Sequence, residues 1–167
     1  QGHAVRVSSF SCEIAGRLGF SDQEINEIKY GAQLHDIGKI QIPDAVLLKQ
    51  GKLSGEEYAV MKQHPVISMK LVDHIAFFQS IKGLFLHHHE RYDGKGYPDG
   101  IGGGDIEIGA RIIAVADAFD AMTSNRPYRS ALSREVAIQV LRSEREKQFD
   151  PLCVDAFLEY AGGDASS

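Results

Sequence analysis

Residues 21–39 read SDQEINEIKYGAQLHDIGK, and the fold follows from how that stretch is punctuated. Ser21 with Glu24 three residues later forms a capping box, in which hydroxyl and carboxylate each accept a backbone N–H that a helix start leaves unpaired. Ile25, Ile28, Ala32 and Leu34 follow as the apolar positions of one helix. That helix runs into His35-Asp36, and Gly38 with Ile42-Pro43-Asp44 breaks it.

The same reading extends outward and returns helices almost everywhere. Upstream, Val5, Val7, Phe10, Ile14 and Leu18 space as one apolar face, with Gly19 at the stop. Downstream, a short helix is expected from about Ala45, and Ser54 with Glu57 gives a second capping box for a helix running toward His64-Pro65. Pro65 suits the first turn of the next helix, which carries Val66, Ile67, Met69, Leu71 and Val72. Ile81, Leu84, Phe85 and Leu86 lead another into His87-His88-His89. From Arg91 to about Glu107 glycine, proline and aspartate crowd one irregular stretch, a long loop of the kind that carries function in compact domains. An apolar helix resumes at Ala110–Ala116, and two more fall near Glu135–Lys147 and Pro151–Tyr160. No strand pair and no internal repeat emerges. The fold class is all-α: a single helical bundle over residues 1–162 with a long Gly-rich loop, followed by a flexible tail at 163–167.

At 167 residues, with 43% hydrophobic and 25% charged side chains, the chain is one domain able to bury a real core. No run approaches the ~18–20 apolar residues of a membrane span, and nothing reads as a signal peptide, so the expected location is the cytoplasm. Cys12 and Cys153 stand far apart and read as two buried reduced thiols. A net charge of −5 argues against a nucleic-acid polymer as partner, because phosphate backbones are held by basic surfaces. Gln1 opens directly in a helical pattern with a candidate donor at His3, which points to a segment of something longer.

Imidazoles and carboxylates cluster, and those are the side chains that hold divalent metals. Asp36 is suited to bridge two cations, as an imidazole is not. Lys39, one turn after His35 on the same face, can neutralise a phosphate oxygen beside them. Taken alone, the pair also reads as a solvated contact at a helix end. His87-His88-His89-Glu90 ends an apolar helix, so one or two of its rings face inward. Asp117 and Asp120 share a face of an apolar helix, where a buried carboxylate needs a partner. His3 and His64 are singletons able to join in space, and His74 is left without a role. HExxH, EF-hand and GxGxxG patterns are all absent. With no thiolate in the set, iron or manganese is favoured over structural zinc.

His35-Asp36-Ile37-Gly38-Lys39, together with His88-His89-Glu90-Arg91-Tyr92-Asp93-Gly94-Lys95-Gly96-Tyr97-Pro98, resembles the HD-GYP domain, a bacterial signal-transduction branch of the HD phosphohydrolase superfamily. The resemblance runs through His3, His64-Pro65, the block from Val115 to Arg129, and Phe149-Asp150-Pro151. It implies an all-helical fold and hydrolysis of cyclic di-GMP to pGpG and onward to GMP. Carried over, the metal ligands are His3, His35, Asp36, His64, His88, His89 and Asp117, holding two divalent ions. A third ion would need a glutamate one turn before His3, a position that precedes Gln1. Lys39 would contact the scissile phosphate, Arg126 and Arg129 would hold substrate phosphates, and Asp120 would orient a ligand.

Tyr97 would shape the pocket mouth, stack on a base, present a protein-binding surface, or fix the loop. Ser68 departs from a common glycine, and Gln50 and Glu107 from common prolines; none is expected to touch the chemistry. A regulatory or receiver domain would lie outside these residues. Two other readings compete: hydrolysis of another cyclic dinucleotide, and a module that senses the nucleotide without cleaving it.

Overall fold

The computed structural model describes residues 2–125 and 130–163. Within them nine α-helices form: α1 His3–Arg17, α2 Asp22–Leu34, α3 Asp44–Leu47, α4 Gly55–Met61, α5 His64–Val72, α6 Lys82–His87, α7 Ile108–Thr123, α8 Arg134–Ser143 and α9 Pro151–Gly163. Short 3-10 turns at Ile37–Gln41, Ala76–Ile81 and Gly103–Asp105 link them. The described residues hold no strand, only an isolated bridge between Arg145 and Phe149. The all-α class is therefore as expected. Of the stretch 163–167 expected as a tail, Gly163 closes α9, and residues 164–167 lie outside the described residues.

Both capping boxes are present: Ser21 and Glu24 close the start of α2, and Ser54 and Glu57 that of α4. Pro65 sits in the first turn of α5. Helix α7 is the axis of the bundle and packs against α1, α2, α6, α8 and α9. Ile112, Ile113, Val115 and Ala116 are fully buried, and each Ile side chain contributes about 1.5–3 kcal/mol by leaving water. At one end of this core Phe10, Phe119 and Phe157 meet edge to face or tilted, with centroids 4.6–5.8 Å apart.

Three expectations are corrected. Val5 is 66% exposed, because two residues turn a helix about 200° and put it opposite Val7. The buried face of α1 is instead Val7, Ser8, Ser11, Ile14 and Ala15, where small hydroxyls let α2 and α7 come close. Cys12 is half-buried rather than buried, while Cys153 is buried as expected. Helix α8 stops at Ser143, short of Lys147, because the carbonyl of Glu144 accepts the N–H groups of Lys147, Gln148 and Phe149 in a tight turn.

That turn positions the long loop. Gln148 and Lys147 carbonyls accept the N–H groups of Tyr92 and Asp93 at 3.2 and 2.8 Å. Gly96 lies so close to the start of the loop that a Cβ there would stand 2.4 Å from Glu90 Cα, which only glycine allows. The Tyr97–Pro98 peptide is cis.

Candidate metal centre

The centre collects at the ends of helices. His35 caps the C terminus of α2, Asp36 follows it, His64 begins α5, His88 caps α6, His89 comes next, His3 begins α1, and Asp117 projects from the middle of α7. These are the seven residues expected as ligands, and the fold brings all of them to one place. Their donor atoms fall into two groups, Asp36-His64-His88-His89 and His3-His35-Asp117, with the atoms of each group within 4.8 Å of one another.

Asp36 lies between the groups. Its Oδ1 is 3.2 Å from His64 Nε2, while its Oδ2 is 3.5 Å from His35 Nε2 and 4.0 Å from His3 Nε2. Asp117 Oδ1 sits 3.3 Å from His3 Nε2 and 3.9 Å from His35 Nε2. His89 Nε2 faces His64 Nε2 at 3.2 Å.

One local device orients three of the rings. Nδ1 of His35, His64 and His88 donates to the carbonyl three residues back, on Ala32, Met61 and Phe85, at 2.7, 2.8 and 3.0 Å. Those carbonyls belong to the last turn of a helix, where no backbone N–H reaches them. The bond fixes the proton on Nδ1 and leaves Nε2 as a bare donor toward the centre. His3 reaches the same state differently: its Nδ1 bonds Asp120 Oδ2 at 2.7 Å. Asp120 is held in turn by Arg6, whose Nε lies 2.5 Å from Oδ1 and whose Nη2 also reaches Ser124 Oγ at 3.0 Å.

The donor set fits a divalent metal. Nε2 of His35 and of His88 and Oδ1 of Asp36 are buried without a hydrogen-bond partner, a state that is costly unless a cation completes it. Burial, and then the neighbouring imidazole of His89, pushes His88 well below the ordinary histidine range. The same causes, burial and then His64, bring His89 down to about 3, so both rings are neutral at physiological pH, as ligation requires. Burial opposes ionisation of Asp36, but His64, His35 and Lys39 more than offset it and hold its carboxyl far below the usual range. Asp120 follows the same pattern, with Arg6 and His3 outweighing its burial.

A cleft of about 590 Å³ opens over the centre, walled by His3, Lys39, His89, Asp117 and Arg6 together with Ser124 and Asn125. Lys39 Nζ is 2.5 Å from Asp36 Oδ2, which puts the ammonium beside the donor cluster. Arg126 and Arg129, expected to hold phosphates, lie outside the described residues. Tyr97 stacks on His89 with centroids 4.9 Å apart and planes at 26°, and is not part of the cleft wall. His87 bonds Asp99 at 3.0 Å instead of joining the donors, and His74 is exposed.

Sequence reasoning missed three contributors. Glu90 is buried and its Oε1 accepts the N–H groups of Asp99 and Gly100 at 2.7 and 3.0 Å, anchoring the Gly-Tyr-Pro loop. Arg6 could have been found, since it follows His3 by three residues on the same face. Ser68, expected to be remote from the chemistry, bonds the backbone on both sides of Asp36.

A family model for the HD domain matches residues 1–152, and the chain belongs to the HD domain family. Among curated proteins it is similar to the cyclic di-GMP phosphodiesterase response regulator RpfG of Xanthomonas campestris pv. campestris (strain 8004). The two are 49% identical over 155 residues, 92% of this chain and 41% of the relative. Among solved structures, Bd1817, an HDG"Y"P protein from Bdellovibrio bacteriovorus, matches with TM-score 0.77 and 24% identity over 96% of this chain and 52% of that one. A cyclic GMP-AMP specific phosphodiesterase of V. cholerae, V-cGAP3, matches with TM-score 0.77 and 18% identity over 98% and 44%. The structural likenesses carry the fold alone. The HD-GYP resemblance read from residues 35–39 and 88–98 is borne out. The chain spans less than half the length of RpfG. No helix among the described residues is long and apolar enough to cross a membrane.

Proposed function

We propose that this chain hydrolyses cyclic di-GMP to pGpG, and pGpG onward to GMP, at a two-metal centre. The observation that carries the reading is the placement of Asp36, one oxygen toward each of two separate donor groups. His3, His35 and Asp117 would hold one ion and His64, His88 and His89 the other, with Asp36 shared. Iron or manganese suits this all nitrogen-and-oxygen set with its two carboxylates. Such a pair supplies Lewis acidity toward a phosphodiester and a hydroxide nucleophile near neutral pH.

The chain's own residues do the rest. Lys39 lies beside Asp36 on the cleft wall, where its ammonium can exchange that carboxylate for a non-bridging oxygen of the scissile phosphate. Arg126 and Arg129, which follow Asn125 in the sequence, hold phosphate groups of the substrate. Tyr97, stacked on His89, supports that ligand, and the exposed Lys95 and Asp99 of its loop offer a surface to a protein partner. Asp120 and Arg6 fix the ring of His3. We place the reaction in the cytoplasm, where the free thiols Cys12 and Cys153 stay reduced. A complete donor set speaks against a module that senses the nucleotide without cleaving it, and a regulatory domain fits the greater length of RpfG.

The test is to load purified protein with Mn²⁺ or Fe²⁺ and follow cyclic di-GMP and a mixed-base cyclic dinucleotide by chromatography. Cyclic di-GMP is expected to be cleaved faster, and Asp36→Ala to bind no ion pair and turn over neither. Turnover retained in Asp36→Ala overturns the mechanism. Preference for the mixed-base substrate overturns the specificity alone.

A further inference from the structure

Ser68 is fully buried on α5, one turn after His64. Its Oγ donates to the carbonyl of His35 at 2.9 Å and accepts the N–H of Gly38 at 2.8 Å. Those two backbone groups flank Asp36. The carbonyl lies past the last turn of α2, and the N–H lies in the first turn of the Ile37–Gln41 segment, so neither has a helical partner of its own. One hydroxyl therefore satisfies an orphan acceptor and an orphan donor and ties both sides of Asp36 to the helix that carries His64. The fit is close: a Cβ on Gly38 would stand 2.1 Å from the carbonyl of His64 and 2.8 Å from Ser68 Oγ.

We propose that Ser68 is a positioning residue that sets the spacing of the two cation subsites by clamping the turn around Asp36 onto α5. The inference rests on the two-metal reading. Asp36 must present one oxygen to His64's group and the other to His35's group, and the backbone on either side of it is held by this single side chain. With the clamp released, the ligands remain, but Asp36 is free to turn toward one group and leave the other a donor short.

The test is manganese titration of the metal-free protein, with electron paramagnetic resonance to report whether the two bound ions are magnetically coupled through a shared ligand. In Ser68→Ala the second Mn²⁺ is expected to bind 10–100-fold more weakly, the range for loss of a ligand's supporting contact, and the coupled signal to give way to isolated ions. Ser68→Thr, which keeps the hydroxyl, is expected to restore coupling. Ser68→Cys, which keeps the side-chain volume but is only a weak donor and acceptor, carries the same measurement should Ser68→Ala fail to fold. A Ser68→Ala or Ser68→Cys protein that melts earlier but binds a coupled pair with unchanged affinity overturns the clamp and leaves Ser68 a packing residue. Failure of the unsubstituted protein to bind two ions overturns the two-metal reading, and the clamp with it.

Discussion

Asp120 illustrates what single residues contribute here. It touches no donor group except through His3, yet a carboxylate behind an imidazole fixes its tautomer and raises its basicity. Asp120→Asn is expected to weaken manganese binding 10–100-fold. Its other partner, Arg6, is 45% exposed and hydrated once released, but Asp120 itself is buried, so about 1–3 kcal/mol of stability is expected to be lost as well. Metal titration beside urea denaturation checks both halves, and unchanged affinity would show that His3 needs no orienting partner. At this scale the sequence was legible where chemistry is local. The HD pair, the histidine run and Asp117 all stand out by type and neighbours. Ser68 and Glu90 did not, because a serine on an apolar helix and a glutamate beside histidines carry no mark of which distant backbone group they will reach.

Elements were legible to the extent that their signals lie within a few residues. Ser21 with Glu24 and Ser54 with Glu57 marked helix starts correctly, since a capping box is complete within four positions. The end of α8 was misplaced because the stop is made by a carbonyl on Glu144 collecting three amides, which no residue type announces. Approach between elements was equally hidden, and glycine substitutions expose it. Gly16→Ala meets nothing within 4 Å, so it is expected to stabilise the protein by about 0.5–1 kcal/mol through helix propensity. Gly38→Ala meets the His64 carbonyl at 2.1 Å and is expected to cost about 1–3 kcal/mol and to weaken metal binding as α5 is pushed aside. Chemical denaturation of the metal-free variants separates the two; similar effects at both sites would refute the close approach.

For the whole molecule, the centre and the fold compete at low pH. His89 holds its pKa near 3 in the native state and His88 lies well below the ordinary value of 6.5, whereas the unfolded chain releases both rings to water. Below pH 6.5 the unfolded state therefore binds more protons, and native stability falls as pH is lowered. Each such imidazole costs about 1.4 kcal/mol per pH unit until its native pKa is reached. Metal-free protein is expected to lose stability steeply between pH 6.5 and about 3, with a shallower loss in His89→Gln. Calorimetric scans across that range check the sign, and a flat profile would mean that the rings titrate normally. The global arrangement was legible only through the family resemblance. Periodicity found the helices, but nothing local says that α1, α2, α5, α6 and α7 end or pass at one point.

The histidines that lean on carbonyls of their own or the preceding helix have a consequence for loading. Those rings are already aimed by the backbone ends that every helix must satisfy, so an arriving ion meets a template instead of recruiting one. The rotational entropy of the donors is surrendered during folding, not at capture. Occupancy then adds its full affinity to the lifetime of the native state, and the pace of uptake is governed by how readily the ion sheds its own hydration.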